Sequence, residues 1–188
     1  MKKIGIVTDS HSSISQEEAK KLGIFVLPMP FYIDGECYYE SVTLSRELFF
    51  EKLTSGADIS TSQPSPTAVM EIWDKALEEY EKILYMPISS GLSSSYNTAM
   101  MLAQEEKYEG RVLVVDDGQV AAPLHQMILD TLDMIEKGYE AEHIRELLEK
   151  AGDRMMIYIS LQTLEFLKKG GRVTPAAAAL GSVFNIKP

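Results

Sequence analysis

Short apolar runs alternate with longer amphipathic segments along this chain. Runs that are almost entirely apolar predict buried strands, because a strand covered on both faces has no polar alternation. These runs are residues 4–7, 24–27, 83–88, 111–115 and 155–159. Helical spacing of apolar residues predicts helices at 15–22, 45–53, 66–80, 96–104, 121–136, 141–150 and 161–168. The alternation predicts an α/β fold in three layers, with a mainly parallel central sheet between helices.

Cap and turn residues mark several of these boundaries. Ser15, followed three residues later by Glu18, forms a capping box, and Ser65 before Pro66 is a favourable N-cap with proline in the first turn. Residues 31–39 predict a small hairpin with a two-residue Asp-Gly turn. Ligands bind at the carboxyl ends of the strands in parallel sheets, so we expect a ligand site in the loops that follow them.

A serine-rich loop, residues 89–95, follows the strand predicted at 83–88. This serine loop holds five serines and leads directly into a predicted helix. Hydroxyls and free backbone N–H groups therefore gather at a helix N-terminus, a geometry that suits an anion. Capping of the helix explains one or two serines, and we expect Ser94 or Ser95 to be the cap. Ser93 is then free to point at a ligand.

A second polar loop occupies residues 59–66, ahead of the next helix. Its Thr61, Ser62 and Gln63 offer hydroxyl and amide groups at the start of that helix. If this loop and the serine loop converge, they can hold a carboxylate or a phosphate through neutral hydrogen bonds. Each such bond to a charged acceptor is worth about 1.5–3 kcal/mol.

Composition narrows the classes of partner. A formal net charge of −10 argues against nucleic acid and anionic membrane surfaces, which both bind basic faces. No apolar run approaches the length that spans a membrane, so stable membrane insertion is not predicted. The single cysteine, Cys37, excludes an internal disulfide and, with no secretory start, indicates a cytoplasmic protein.

Other chemistries fit the residues less well. Residues 91–95 miss the nucleophile-elbow pattern and no histidine has a triad context, so a serine hydrolase is not predicted. Asp9, Asp116 and Asp117 follow predicted strands and invite a metal. No histidine or further acidic residue lies at a spacing typical of metal ligands, however, so we predict no metal. We expect Asp9 to cap a helix or a loop.

The residues alone leave the ligand open. Arg172 follows a glycine turn at residues 170–171, which indicates a helix C-cap, and its guanidinium can face a ligand anion or a partner protein. One alternative is a phosphotransferase-like domain that binds a nucleotide or a phosphorylated small molecule through the same loops. Another is a structural remnant without a ligand.

Taken in order, these motifs resemble the DegV family, whose members include the fatty-acid-binding subunits of bacterial fatty acid kinase. Each motif is weak alone, but the ordered set is specific and spans nearly the whole chain. The matching stretches are residues 6–10, 61–65, 88–93, 164–173 and 185–188.

The resemblance implies a protein that binds a long-chain fatty acid and breaks no bond itself. In the family, the threonine of the Thr-Ser-Gln-Pro-Ser loop and the serine of the Gly-Leu-Ser loop hold the carboxylate, and these correspond to Thr61 and Ser93. We add Ser62, Ser94 and Arg172 to the predicted ligand-binding residues. The acyl chain is expected in an apolar tunnel, and a separate ATP-dependent kinase subunit phosphorylates the carboxylate. No catalytic residue, cofactor or metal is predicted.

The chain departs from the family pattern in two places. Residues 93–96 are Ser-Ser-Ser-Tyr where the family usually has Ser-Gly-Thr-Tyr, so Ser94 replaces the glycine, and Asp117 stands where the family commonly has serine. Family members also continue into a second α/β domain that supplies part of the tunnel. We therefore predict a first domain at residues 1–160 and, at residues 161–188, the start of a truncated lipid-binding domain.

Overall fold

The computed structural model describes residues 2–40, 42–159 and 163–173. It divides the chain into two compact units, Met1–Met155 and Met156–Pro188. The domain boundary expected after residue 160 stays a prediction.

The elements alternate as the sequence indicates. In chain order they are β1 (Lys2–Asp9), α1 (Gln16–Leu22), β2 (Phe25–Leu27), β3 (Pro30–Ile33), β4 (Glu36–Tyr39), α2 (Arg46–Thr54), β5 (Ile59–Thr61), α3 (Pro66–Glu79), β6 (Tyr80–Met86), α4 (Ser95–Leu102), β7 (Val112–Val114), α5 (Ala121–Glu136), α6 (Ala141–Gly152) and, in the second unit, α7 (Glu165–Lys169). None of the helices described here is long and apolar enough to cross a bilayer.

The first unit is built on a four-stranded sheet that confirms the predicted parallel architecture. Its strands lie in the order β2, β1, β6, β7, and all three pairings are parallel. The chain leaves β1 toward one edge of the sheet and leaves β6 toward the other edge. This divergence is a topological switch point, and open α/β sheets have a crevice there, beyond the carboxyl ends of the strands.

Helices cover both faces of this sheet. Successive strand residues point to opposite faces, so Ile6 packs with α1, α5 and α6 while Val7 packs with α3 and α4. On the second face Trp73 is completely buried, and its ring meets the rings of Tyr85 and Tyr108 edge to face. The two buried clusters confirm the three predicted layers.

A small antiparallel sheet combines β3, β4 and β5. β3 and β4 form the predicted hairpin, whose turn residues Asp34 and Gly35 have φ of 50° and 86°, the left-handed backbone that a two-residue turn requires. β5 pairs with β3 and sets Thr61 opposite Phe31. The expectation of a loop throughout residues 59–66 is therefore wrong at its start, because pairing with β3 makes a strand of Ile59–Thr61.

The prediction of a strand at residues 155–159 is also wrong. None of these residues forms a strand, and the side chains of Met156 and Tyr158 are 73% and 89% exposed. An apolar run becomes a strand only beside a partner strand, and the described sheet extends from β2 to β7. The helix predicted at 161–168 appears as α7, from Glu165, whereas residues 161–162 and the motif at 185–188 lie outside the described residues.

The N-terminus of α3 gives a direct test of the predicted cap. Ser65 Oγ accepts the N–H of Ala68 at 3.1 Å, and Pro66 occupies the first turn. Ser65→Ala removes that acceptor, so the free energy of unfolding should fall by about 1 kcal/mol in a urea titration. Thr67→Ala, at the neighbouring exposed position, is the control, and an equal loss in both variants would contradict the capping role.

Candidate functional site

The serine loop is anchored where it leaves the central sheet at the switch point. The N–H of Ile88 donates to the Asp9 carboxylate at 2.9 Å, and the N–H of Ser89 donates to the Gln119 carbonyl at 2.9 Å. These bonds join the last residue of β1 to the segment after β6, and that segment to the one after β7. The carboxyl ends of neighbouring parallel strands therefore meet at one site, as the sequence predicted.

Backbone N–H groups further along the serine loop also have acceptors within the protein. The N–H of Ser90 donates to the Asp116 carboxylate at 3.3 Å. The next three N–H groups donate to the hydroxyl or the carbonyl of Ser89. The expectation of free N–H groups is therefore wrong for residues 88–93, because acceptors from distant strand ends and from the loop itself use them. Within residues 88–93, an anion must therefore rely on hydroxyl groups.

Ser93, rather than Ser94 or Ser95, makes the side-chain cap at the start of α4. Its Oγ accepts the Ser95 N–H at 3.2 Å and the Ser95 hydroxyl at 3.0 Å. Exposed Ser94 precedes the helix, but its backbone is already helical and its side chain makes no capping bond. Ser94 therefore holds the expected N-cap position, but the expectation that its side chain or that of Ser95 makes the capping bond is wrong. Because Ser93 Oγ accepts both bonds, its own hydroxyl proton remains to be donated, and a ligand oxygen can accept it.

The threonine loop, residues 61–65, meets the first turn of α4. Gln63 Oε1 accepts the hydroxyl of Thr98 at 3.1 Å, so this loop contacts the helix into which the serine loop leads. Thr61 is exposed, and its hydroxyl has no hydrogen-bond partner within the described part of the chain. Ser62, also exposed, donates its hydroxyl to the Gln63 carbonyl at 3.0 Å. Thr61 is therefore the hydroxyl of this loop that is best placed to donate to a ligand.

Arg172 belongs to the second unit, whereas the other predicted site residues belong to the first. It is exposed on the turn after α7, where Gly171 has a φ of 75°. Its guanidinium donates to the Gly170 carbonyl. The predicted C-cap is present, and the ligand-binding role of Arg172 stays a prediction.

A buried acid lies next to the anchor of the serine loop. Asp117 is only 1% exposed, its Oδ1 accepts the N–H of Gln119 at 2.9 Å, and its Oδ2 has no hydrogen-bond partner among the described residues. Burial raises the pKa of Asp117 to about 6, the bond from Gln119 opposes the rise, and the charges of Asp116 and Asp9 add to it. The sequence analysis did not predict this burial. The feature that could have indicated it is an acidic residue that closely follows an all-apolar strand.

An open groove of about 460 Å³ begins beside the serine loop. Its lining residues are Tyr96, Asp116, Glu146, Glu149, Lys150 and Asp153. Carboxylates dominate this lining, which disfavours an anion and leaves the hydroxyls of Ser93 and Thr61 as the better anion donors. Among the residues that the structure describes, no group of three or more histidine, cysteine, aspartate or glutamate side chains is arranged to hold a metal ion.

Curated proteins similar to this chain share one family. The DegV family model, described as a family of uncharacterised proteins, matches residues 3–188. A DegV domain-containing protein of Deinococcus radiodurans is 35% identical over 186 residues, which are 98% of this chain and 66% of the relative. The chain therefore spans about two thirds of the length of such relatives.

Solved structures agree with this assignment. One shows fatty acid binding by a DegV family protein from Thermus thermophilus, which is 35% identical with a TM-score of 0.88 over 99% of this chain and 66% of its own. Another is a stearic-acid-binding protein from Eubacterium ventriosum, which is 25% identical with a TM-score of 0.79 over 95% of this chain and 64% of its own. The arrangement of strand-end loops, the family match and these neighbours agree: the chain belongs to the DegV family.

Proposed function

We propose that this chain binds a long-chain fatty acid and that the hydroxyls of Thr61 and Ser93 hold its carboxylate. The observation that carries the proposal is the bond from Thr98 to Gln63, which holds the threonine loop against the start of the helix that the serine loop enters, near a switch point of the sheet. Both hydroxyls have a proton to donate. Fatty acid binding by the Thermus and Eubacterium relatives supports the same ligand class.

The physical chemistry of a fatty acid suits such a site. Burial of each CH₂ group of an acyl chain is worth about 0.8 kcal/mol, so affinity comes chiefly from an apolar channel. The hydroxyls orient the head group. They leave its carboxylate oxygens nucleophilic, because a neutral hydrogen-bond donor neutralises the carboxylate charge less than a cation in an ion pair does. Ser62, Ser94 and Arg172 are secondary candidates for contacts with the ligand or a partner.

We further propose that this chain presents the fatty acid to a separate kinase subunit in the cytoplasm and does no bond-breaking itself. A carboxylate oxygen then attacks the terminal phosphorus of ATP, the bond to the ADP oxygen breaks, and an acyl phosphate forms. Donation from Thr61 and Ser93 to the carboxylate leaves oxygen lone pairs available for that attack.

Alanine substitutions at the two hydroxyls test the head-group contacts. Ser93→Ala and Thr61→Ala should each weaken palmitate binding about tenfold, because each removes a hydrogen bond to a charged acceptor. Isothermal titration with palmitate, and with hexadecanol as a neutral analogue, measures this loss. Ser90→Ala, at an exposed serine of the same loop, should leave both affinities unchanged.

Two outcomes would count against the proposal. Unchanged palmitate affinity in the Ser93 and Thr61 variants would remove these hydroxyls from the site. ATP binding by the wild-type chain without palmitate binding would instead favour the phosphotransferase-like alternative.

A further inference from the structure

The backbone ladder between β1 and β6 ends where the chain turns toward the serine loop. Its last pair joins Thr8 to Met86, and the next residue of β6's continuation, Pro87, has no N–H to extend it. Beyond this point, two side chains of β1 make the hydrogen bonds to the chain that follows β6. Thr8 Oγ1 donates to the Met86 carbonyl at 2.7 Å, and the Asp9 carboxylate accepts the Ile88 N–H at 2.9 Å. Side-chain bonds therefore replace backbone bonds on both sides of the proline.

Asp9 is itself held in place by the turn that follows β1. Its Oδ1 accepts the His11 N–H at 2.9 Å and lies 3.2 Å from His11 Nδ1, and its carbonyl accepts the Ser12 hydroxyl at 2.8 Å. Asp9 is completely buried, so water does not compete for its oxygens. Hydrogen bonds to a carboxylate are about twice as strong as neutral ones, which makes this a firm attachment.

The position of Ile88 is transmitted to Ser93 through the loop. Ser89 Oγ accepts the Gly91 N–H at 3.2 Å, and the Ser89 carbonyl accepts the N–H groups of Leu92 and Ser93 at 3.0 Å and 3.1 Å. Residues 89–93 thus form one compact turn. Gln119 and Asp116 also hold this turn, at Ser89 and Ser90, but the bond at Ile88 fixes the point where it leaves the sheet, so we expect a change there to shift the Ser93 hydroxyl.

We propose that Asp9 is a positioning residue for the ligand head group. It touches no ligand, and acts by fixing the direction in which the serine loop leaves the sheet. This places the Ser93 hydroxyl and gives the site its preference for a carboxylate over a neutral head group. The inference rests on the proposed function of Ser93, and deepens it by assigning head-group selectivity to a buried residue behind the site.

Two variants and one control separate positioning from general stability. Asp9→Asn keeps the size of the side chain but offers one oxygen and one NH₂ group, so the N–H of either Ile88 or His11 must face another donor. Thr8→Val keeps the shape and removes only the hydroxyl that donates to Met86. Asp130→Asn makes the same chemical change on the exposed side of α5 and is the control.

Ligand selectivity is the first measurement. In Asp9→Asn the affinity for palmitate should fall about tenfold while that for hexadecanol changes less than about twofold. Thr8→Val should change selectivity in the same direction, and Asp130→Asn should match the wild type. A merely structural role lowers both affinities together, so equal losses, or no loss, would overturn the proposal.

Amide hydrogen exchange is the second measurement and needs no ligand. In Asp9→Asn the amides of residues 88–95 should exchange at least about tenfold faster, with the amides of α6 unchanged. If Asp9→Asn does not fold, the exchange rates of residues 88–95 in Thr8→Val are compared with those of the wild type instead. Unchanged exchange rates in the folded variants would overturn the proposal. A wild-type chain without preference for palmitate over hexadecanol would contradict the proposed function, and the exchange rates would still decide whether Asp9 positions the loop.

Discussion

Gly152→Ala is expected to lower the free energy of unfolding by about 3 kcal/mol, the upper part of the usual range for overpacking. A Cβ atom at this position would lie 2.0 Å from the carbonyl oxygen of Asp117 and 2.7 Å from its carbonyl carbon. Both are backbone atoms, so no side-chain rotation relieves the clash, and either the end of α6 or the loop after β7 must move. The higher helix propensity of alanine, worth about 1 kcal/mol, offsets only part of this cost.

The same substitution should also reach the candidate site. The Gly152 carbonyl accepts the Gln119 side-chain amide at 3.1 Å, and the Gln119 carbonyl accepts the Ser89 N–H at 2.9 Å. Two consecutive hydrogen bonds, through Gln119, therefore connect the end of α6 to the serine loop, so a shift of α6 should also move this loop. We expect weaker palmitate binding together with the lower stability, measured by isothermal and urea titrations.

Gly91→Ala is the matched control for this prediction. The nearest atom to a Cβ at Gly91 is the Ser89 Oγ at 3.5 Å, an ordinary contact. Its stability should stay within about 1 kcal/mol of the wild type, since surface substitutions without a clash change little. Equal losses in the two variants, or an unchanged Gly152→Ala, would show that the close approach of α6 to Asp117 is not a constraint.

Features that depend on a few neighbouring residues were predictable from the sequence. Ser15 Oγ accepts the Glu18 N–H at 3.1 Å, Gly23 ends α1 with a φ of 69°, and Ser65 caps α3. Each of these features depends on the backbone of a single turn. Residues in or next to that turn supply the hydrogen bonds or the conformation that it needs, independently of the rest of the fold. The alternation of short apolar runs and helices likewise predicted the parallel sheet, because only burial on both faces permits such strands.

Features that depend on distant partners were not predictable in this way. The Ile88 N–H finds its acceptor in Asp9, 79 positions earlier, so the sequence of the serine loop alone could not show that this donor is used. The same limit explains the failed strand at residues 155–159, because an apolar run does not reveal whether another strand lies beside it. The choice of Ser93 over Ser94 as the cap depended on the backbone conformation of Ser94, which three consecutive serines do not specify.

The candidate site shows both kinds of feature. Family resemblance singled out Thr61 and Ser93, and the structure joins the loop of Thr61, through Gln63 and Thr98, to the helix that follows the loop of Ser93. Their contacts with a ligand remain a prediction. The sequence marked Asp117 as an acidic residue at a strand end and as a departure from the family pattern, but its burial depends on the packing of α6 and the loop after β7.

That burial predicts a stability that depends on pH. The pKa of Asp117 is about 6 in the folded protein because of burial, against an ordinary value of 3.8. The folded state therefore binds this proton more tightly than the unfolded state does. The stabilising contribution of protonated Asp117 is present below about pH 4, is lost as the pH rises to about 6, and amounts to about 3 kcal/mol.

Asp117→Asn should remove this pH dependence. The amide oxygen of asparagine can still accept the Gln119 N–H, while no charge has to be buried at high pH. We expect the variant to exceed the wild type in free energy of unfolding by about 2–3 kcal/mol at about pH 8, and by much less at about pH 4. Urea titrations at the two pH values measure the difference, with Asp153→Asn as the control for loss of an exposed carboxylate. If the profiles of the wild type and Asp117→Asn run parallel between these pH values, the Asp117 carboxyl does not titrate in the folded protein as its burial requires.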